Sequence, residues 1–94
     1  MDNQHTKIKG YRDLSQREID LMNRLKAKGA ELGALLNEVR QHLDEQLLAA
    51  EGNDAEIERL HQTEPARWLA LARTDLQVGL MKSVRAVAQP SDGF

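Results

Sequence analysis

The sequence predicts an all-α fold built on a long helical hairpin, and three observations support this prediction. Apolar or small residues recur every three or four positions along most of the chain, which is the spacing of one helix face. Serine, asparagine or proline precedes these runs, and glycine or proline follows them, as at helix ends. The chain has 94 residues, which is the size of one small domain, so a single helical domain over 1–94 is expected.

The first long helix is predicted over 16–50. Ser15 and Glu18 have the spacing of a capping box, in which each side chain accepts a hydrogen bond from the other residue's backbone N–H. Gly52 follows, where a helix C-terminus favours glycine. The steps between the apolar or small positions alternate between three and four residues, as in a heptad seam. The seam consists of Met22, Leu25, Gly29, Leu32, Leu36, Val39 and Leu43.

A short connecting helix and a second long helix follow. Asn53 or Asp54 is a suitable cap for the short one, and Pro65 is tolerated in the first turn of the next. Besides the first helix, the predicted parts of the chain are an N-terminal arm over 1–14, the short helix over 54–62, the C-terminal helix over 65–88 and a tail over 89–94. The predicted inward face of the C-terminal helix is Leu69, Ala72, Leu76, Gly79 or Leu80, Ser83 and Val87.

Two glycines, Gly29 and Gly33, lie inside the predicted first helix. A glycine there costs about 1 kcal/mol relative to alanine, so the pair needs a reason. Close approach of another helix is the simplest reason, and a bend or a nearby ligand is the alternative.

Two helices of unequal length leave many leucines uncovered, because a hairpin buries only one stripe of each helix. The leucines expected to stay exposed include Leu21, Leu35, Leu47, Leu71 and Leu80. Exposed apolar surface of this kind marks an interface between subunits. We therefore expect a compact homo-oligomer.

The composition limits the cellular setting and the partners. The chain has no cysteine, which suits a reducing compartment, and neither an apolar run of membrane-spanning length nor a signal-peptide pattern is present. We therefore expect a cytoplasmic protein without a membrane partner. The net charge is −2, and the positive charge is concentrated in 1–28 and 65–94. A local positive charge fits a small anion better than a DNA or RNA polymer.

Catalytic chemistry is nearly absent from the sequence, so we expect no enzyme, no cofactor and no metal. Glu58 and His61 have the Glu-x-x-His spacing of di-iron helical bundles, but a second such pair is not evident. A solvated acidic stretch is the simpler interpretation. Neither a nucleophile triad nor a phosphate-binding Gly-rich loop is evident.

The strongest functional signal is Tyr11, the one tyrosine of the chain. Together with Arg12, Asn23 and Lys26 it offers an aromatic face, two cations and an amide, which suit a nucleobase and a phosphate. The alternative is structural: Tyr11 packs as a hydrophobic staple before the Ser15 cap, and Lys26 is an ordinary solvated residue.

These residues resemble a known family, the phage-encoded anti-CBASS sponge proteins that sequester cyclic oligonucleotides. The shared blocks include Gly10-Tyr11-Arg12, the Asn23 and Lys26 region, and Ala66-Arg67-Trp68. They continue through residues 72–77 and the Arg-Ala-Val-Ala-Gln-Pro run of residues 85–90. The acidic segment of about 40–63 shows no recognisable match, and Lys82-Ser83 departs from the family's pattern.

The resemblance implies a hexamer that binds cyclic dinucleotides such as 3′,3′-cGAMP, and cyclic trinucleotides, without cleaving them. Depletion of these messengers would keep host CBASS effectors inactive. In this family the tyrosine stacks on the bases of the dinucleotide and the lysine meets its phosphates, roles that fall on Tyr11 and Lys26. The trinucleotide pocket is implied at Arg67, with Thr74 as a further member.

Two other classes remain open on the sequence. A structural or adaptor oligomer would bind partner helices and no small ligand. An enzyme, either a nucleotide hydrolase or a di-iron bundle, would show turnover or bound metal.

Overall fold

Three α-helices account for most of the residues that the computed structural model describes, which are 13–91. They are α1 (Gln16–Ala49), α2 (Asp54–Thr63) and α3 (Pro65–Ala88). Residues 13–91 contain no β-strand. The prediction of an all-α hairpin with two long helices and a short connecting helix is therefore confirmed.

The predicted capping box opens α1. The backbone N–H of Ser15 donates to Glu18 Oε1 at 2.8 Å, and the N–H of Glu18 donates to Ser15 Oγ at 3.2 Å. These two bonds satisfy backbone donors that a helix N-terminus otherwise leaves unpaired. In the same turn, the side-chain amide Nε2 of Gln16 donates to Asp20 Oδ1 at 2.8 Å.

A glycine turn separates α1 from α2. Gly52 has φ +82°, a left-handed conformation that glycine adopts without steric cost. Asn53, and not Asp54, then caps α2, because its side chain accepts from the backbone N–H of Glu56 at 3.1 Å.

One residue, Glu64, joins α2 to α3. Its φ of 48° is left-handed, and its N–H donates to the Leu60 carbonyl at 3.1 Å. Its own carbonyl accepts from the N–H of Trp68 at 3.2 Å, so Glu64 ends one helix and begins the next. At the other end of α3, Gln89 is also left-handed, with φ 50°, just before Pro90.

The chain divides into two compact units. Unit 1 comprises residues 1–29 and 77–94, of which 13–29 and 77–91 are described, and unit 2 comprises Ala30–Leu76. Within unit 1, Gly29 meets Leu80, whereas Met22 shares a groove with Ala88. The two helix segments of unit 1 therefore run antiparallel. A single domain over 1–94 stays a prediction.

Unit 2 contains the C-terminal part of α1, all of α2 and the first half of α3. Arg73 Nη2 donates to Asn37 Oδ1 at 2.9 Å, which links α3 to α1. Leu43 of α1, the buried Leu60 of α2 and Ala66 of α3 line one groove of about 330 Å³. The α1 and α3 segments of this unit are thus antiparallel as well.

The predicted seam is largely correct. Its members in α1 are half-buried, apart from Val39, which is 38% exposed. On α3, Leu80 and not Gly79 turns inward. Close packing explains Gly29, where an added Cβ atom would lie 2.9 Å from Leu80 Cδ1 and the leucine would have to shift, but nothing lies within 4 Å of a Cβ atom placed on Gly33.

Much apolar surface remains uncovered within residues 13–91. Leu35, Leu47 and Leu71 are exposed, as the sequence predicts. The prediction of exposure was wrong for Leu21, which is half-buried. Leu80 was predicted both as an exposed leucine and as an alternative inward residue, and the inward alternative is correct because Leu80 lies against Gly29. The buried hydrophobic residues are Ala50, Leu60 and Ala88, and further exposed ones are Leu48, Ile57, Trp68 and Met81.

Candidate functional site

Two of the predicted dinucleotide-binding residues, Asn23 and Lys26, lie on α1. They are three positions apart and both are exposed, so they occupy neighbouring positions on one side of the helix. Tyr11 and Arg12 lie outside the described residues. Asn23 and Lys26 are therefore neighbours along α1 but border two different grooves, and the placement of the tyrosine is not tested.

Lys26 lies at the rim of an apolar groove in unit 1. The groove has a volume of about 380 Å³. Its other lining residues are Leu25, Gly29, Leu80, Met81 and Val84. Met81 is 64% exposed, so an apolar surface is accessible beside the ammonium group. A flat ring lying on that surface would place a phosphate within reach of a cation.

Asn23 lines a different surface of α1. This open groove is also bordered by Arg17, Asp20, Leu21 and Arg24. Asp20 accepts from Gln16, so part of its charge is engaged by an amide. The described part of unit 1 contains six Lys and Arg residues and three Asp and Glu residues, which favours anion binding here.

The predicted trinucleotide residues, Arg67 and Thr74, lie on α3 in unit 2. Seven positions separate them, so two helical turns place them on the same face, about 10 Å apart along the axis at ~1.5 Å per residue. Leu71 lies between them on that face and is 42% exposed. Both polar residues are exposed.

The Arg67 guanidinium has two neighbours of its own chain. Its Cζ atom lies 5.1 Å from the centroid of the Trp68 ring, within the range of a cation–π contact. Its Nη1 atom lies 3.6 Å from Glu64 Oε2. Neither neighbour was predicted to have a role, although the three-residue spacing of Glu64 and Arg67 is a signal for an ion pair on a helix.

The acidic segment holds its cations in local pairs. Arg59 Nε donates to Glu56 Oε2 at 3.0 Å, and this bond holds the pKa of Glu56 below its ordinary value. Arg40 Nε contacts Asp44 Oδ1 at 3.3 Å. Each pair joins two residues of the same helix, α1 for Arg40 and α2 for Arg59. Such solvent-accessible pairs contribute little to stability, but they reduce the capacity of the two arginines to bind an external anion.

In 13–91, no group of three or more His, Cys, Asp or Glu side chains is arranged to hold a metal ion. Glu58 instead accepts from Gln62 Nε2 at 3.0 Å, and His61 lines the groove of unit 2. No helix in the same range is both long enough and apolar enough to cross a bilayer.

Comparison with known proteins gives the family. The family model described as "Acb2/Tad1, hairpin domain" matches residues 4–88. The chain belongs to the Acb2/Tad1 hairpin family. A relative in Pseudomonas phage JBD67, named Anti-CBASS protein 2, is 46% identical over an alignment 105 positions long, gaps included, which covers 96% of this chain and 97% of the relative.

The resemblance to anti-CBASS proteins is thereby confirmed. The Acb2/Tad1 match includes the positions of Tyr11 and Arg12, those of Asn23 and Lys26 on α1, and those of Arg67 and Thr74 on α3. It also includes the acidic segment of 40–63, in which no resemblance to the family was recognisable from the sequence.

Proposed function

We propose that this protein binds cyclic oligonucleotide second messengers, holds them intact, and so keeps the CBASS effectors of a bacterial host inactive. The observation that carries the proposal is the 46% identity, over nearly the whole of both chains, to a protein named Anti-CBASS protein 2. Such a function operates in the cytoplasm of the infected cell, where the messenger is made.

The dinucleotide pocket of this proposal is built around Lys26. The apolar groove beside Lys26 accepts a base or ribose face, and the ammonium group neutralises a phosphate. Asn23, one turn away, supplies amide donors and acceptors for a base edge. Tyr11 stacks on a base and Arg12 adds a second, bidentate cation.

A pocket shared between subunits would allow Tyr11 of one chain to meet the ligand beside Lys26 of another. Lys26 lies about 15 Å along α1 from its N-terminal cap, which is far for the tyrosine of the same chain to reach. A cyclic dinucleotide has two bases and two phosphates related by a near two-fold axis, so a dimer interface can offer each half one tyrosine and one lysine. The exposed leucines provide apolar surface for such an assembly, which we propose to be a hexamer.

The trinucleotide pocket of the proposal uses Arg67 and Thr74. A cyclic trinucleotide has three phosphates, and a three-fold axis can present three copies of one arginine to them. Arg67 and Thr74 belong to unit 2, whereas Asn23 and Lys26 belong to unit 1. This separation supports two pockets that can be disabled one at a time.

One experiment distinguishes the proposed sponge from its alternatives. The protein is incubated with 3′,3′-cGAMP or a cyclic trinucleotide, separated from free ligand and denatured, and the released nucleotide is identified by mass. Recovery of the intact cycle supports the sponge. Recovery of a linear product would show an enzyme, and no retained nucleotide would favour a structural adaptor, which the exposed leucines also suit.

A further inference from the structure

The Arg67 side chain is held on two sides before any ligand arrives. Its Cζ atom lies over the Trp68 ring, 5.1 Å from the ring centroid, and its Nη1 atom lies 3.6 Å from Glu64 Oε2. A guanidinium has five N–H donors in a fixed plane. The contact with one carboxylate oxygen leaves most of that donor set available to an incoming anion.

The position of Glu64 is set by its backbone conformation and hydrogen bonds as well as by its ion pair with Arg67. It adopts a left-handed conformation, with φ 48° and ψ 53°, which is uncommon for a residue other than glycine. Its N–H donates to Leu60, and its carbonyl accepts from the backbone N–H groups of Arg67 at 3.1 Å and of Trp68 at 3.2 Å. The carboxylate therefore starts from a constrained point beside the guanidinium.

The Glu64 contact is a weak one that a phosphate can replace. Charge-assisted N–H···O⁻ bonds are usually about 2.7–2.9 Å long, whereas this pair is separated by 3.6 Å. Both side chains are more than half exposed, at 57% and 54%, so water screens their attraction. A phosphate that binds in bidentate geometry makes shorter bonds and competes successfully.

We propose that Glu64 and Trp68 are positioning residues with opposite effects on the Arg67 anion site. Trp68 holds the guanidinium in place, which lowers the conformational entropy that binding must remove. Glu64 occupies part of the donor set and repels the incoming phosphate, so it competes with the ligand and limits affinity. This inference rests on the proposed function, because it takes Arg67 to be the group that meets a trinucleotide phosphate.

The two effects have opposite signs, which a merely structural role would not produce. Removal of the Glu64 charge should tighten binding about twofold per arginine, and hence roughly eightfold for a ligand that engages three copies. Loss of the indole should weaken binding, since the guanidinium then samples more rotamers and loses its cation–π contact. Neither change should affect a dinucleotide bound at Lys26.

The test measures the affinity of the full chain for cyclic triadenylate and for 3′,3′-cGAMP by titration calorimetry. Cyclic triadenylate is chosen because its three phosphates and three bases are identical. The variants are Glu64→Gln and Glu64→Asn, the second because asparagine tolerates the left-handed conformation, together with Trp68→Leu, Trp68→Phe and Arg67→Ala. Circular dichroism and light scattering check that helix content and mass are unchanged.

The expected result is tighter triadenylate binding by both Glu64 variants, weaker binding by Trp68→Leu, an intermediate loss for Trp68→Phe, and unchanged cGAMP binding throughout. Unchanged or weaker binding by both Glu64 variants would overturn the inference.

The Arg67→Ala variant shows whether the positioning inference or the proposed trinucleotide pocket has failed. If Arg67→Ala abolishes triadenylate binding while the Glu64 variants match the parent, only the positioning inference is wrong. If Arg67→Ala binds like the parent, the proposed trinucleotide pocket itself is wrong.

Discussion

The Cδ1 atom of Leu80 lies 2.9 Å from the position that a Cβ atom on Gly29 would occupy. Real Cβ atoms do not approach carbon so closely, so a side chain at this position must displace Leu80. Gly33 lies one turn further along α1, and no atom lies within 4 Å of the position that a Cβ atom on Gly33 would occupy. The two glycines of one helix thus have different surroundings, and only one has a packing role within the described chain.

This contrast predicts a difference in stability. Gly33→Ala should stabilise the protein by up to about 1 kcal/mol, because alanine is the better helix former and space is available. Gly29→Ala has the same propensity gain but must move Leu80, so it should be less stable than Gly33→Ala by about 1 kcal/mol. Urea unfolding of both variants measures the difference, and equal midpoints would show that Leu80 adapts without cost.

The role of Tyr11 is tested by separating its ring from its hydroxyl group. If Tyr11 stacks on a base, Tyr11→Ala should cost about 1–3 kcal/mol per stacked base. Tyr11→Phe should keep most of the affinity for 3′,3′-cGAMP, because the aromatic face is retained. Equal binding by Tyr11→Ala and the parent would favour the staple, in which the ring only supports the start of α1.

Lys26 and Lys28 form a matched pair for a charge test. Both are exposed on α1, but only Lys26 borders the groove with Met81. Lys26→Ala should weaken cGAMP binding and flatten its dependence on ionic strength, since a cation–phosphate contact is screened by salt. Lys28→Ala removes the same charge and should have a much smaller effect. Similar losses in both variants would indicate a general charge effect and no specific contact.

The helix ends were predictable because each has a local chemical cause. The side chains of Ser15 and Glu18 pair with backbone N–H groups three residues away, and Gly52 and Pro65 act through their own backbone conformation. These effects are local, so they are readable without tertiary structure. The exposure of Leu21 and Leu80 was not predictable in this way. Both could belong to either face until the packing angle of the partner helix was known.

The setting of Arg67 depends on features that sequence patterns do not carry. The predicted bounds of 54–62 and 65–88 place the joint between α2 and α3 at residues 63–64, but glutamate is not a usual left-handed residue, so nothing in the sequence marked the conformation of Glu64. Trp68 follows Arg67 directly, and adjacent helical side chains point about 100° apart at ~3.6 residues per turn. Their contact arises from the side-chain conformers. The assignment of Arg67 to a ligand came from the family resemblance alone.

A comparison of two arginines of unit 2 tests the second pocket. Arg67→Ala should abolish binding of cyclic triadenylate and leave 3′,3′-cGAMP binding close to that of the parent, because Lys26 belongs to unit 1. Arg59→Ala removes an equal charge from an arginine that is paired with Glu56, and it should leave both affinities nearly unchanged. Loss of both ligands in Arg67→Ala, with the particle mass preserved, would mean that the two pockets are one.

The shared dinucleotide pocket depends on assembly of the chain into an oligomer. Light scattering at micromolar concentration should give a particle six times the chain mass of 10.6 kDa. Leu48 is 72% exposed in the isolated chain, and burial of such a side chain in an interface is worth about 1.5–3 kcal/mol. If it lies in an interface, Leu48→Glu should reduce the mass and weaken cGAMP binding together, whereas Glu45→Gln on the same helix should change neither. A parent protein that stays at 10.6 kDa would exclude any pocket built from two subunits, and Tyr11 would then have to reach Lys26 within one chain.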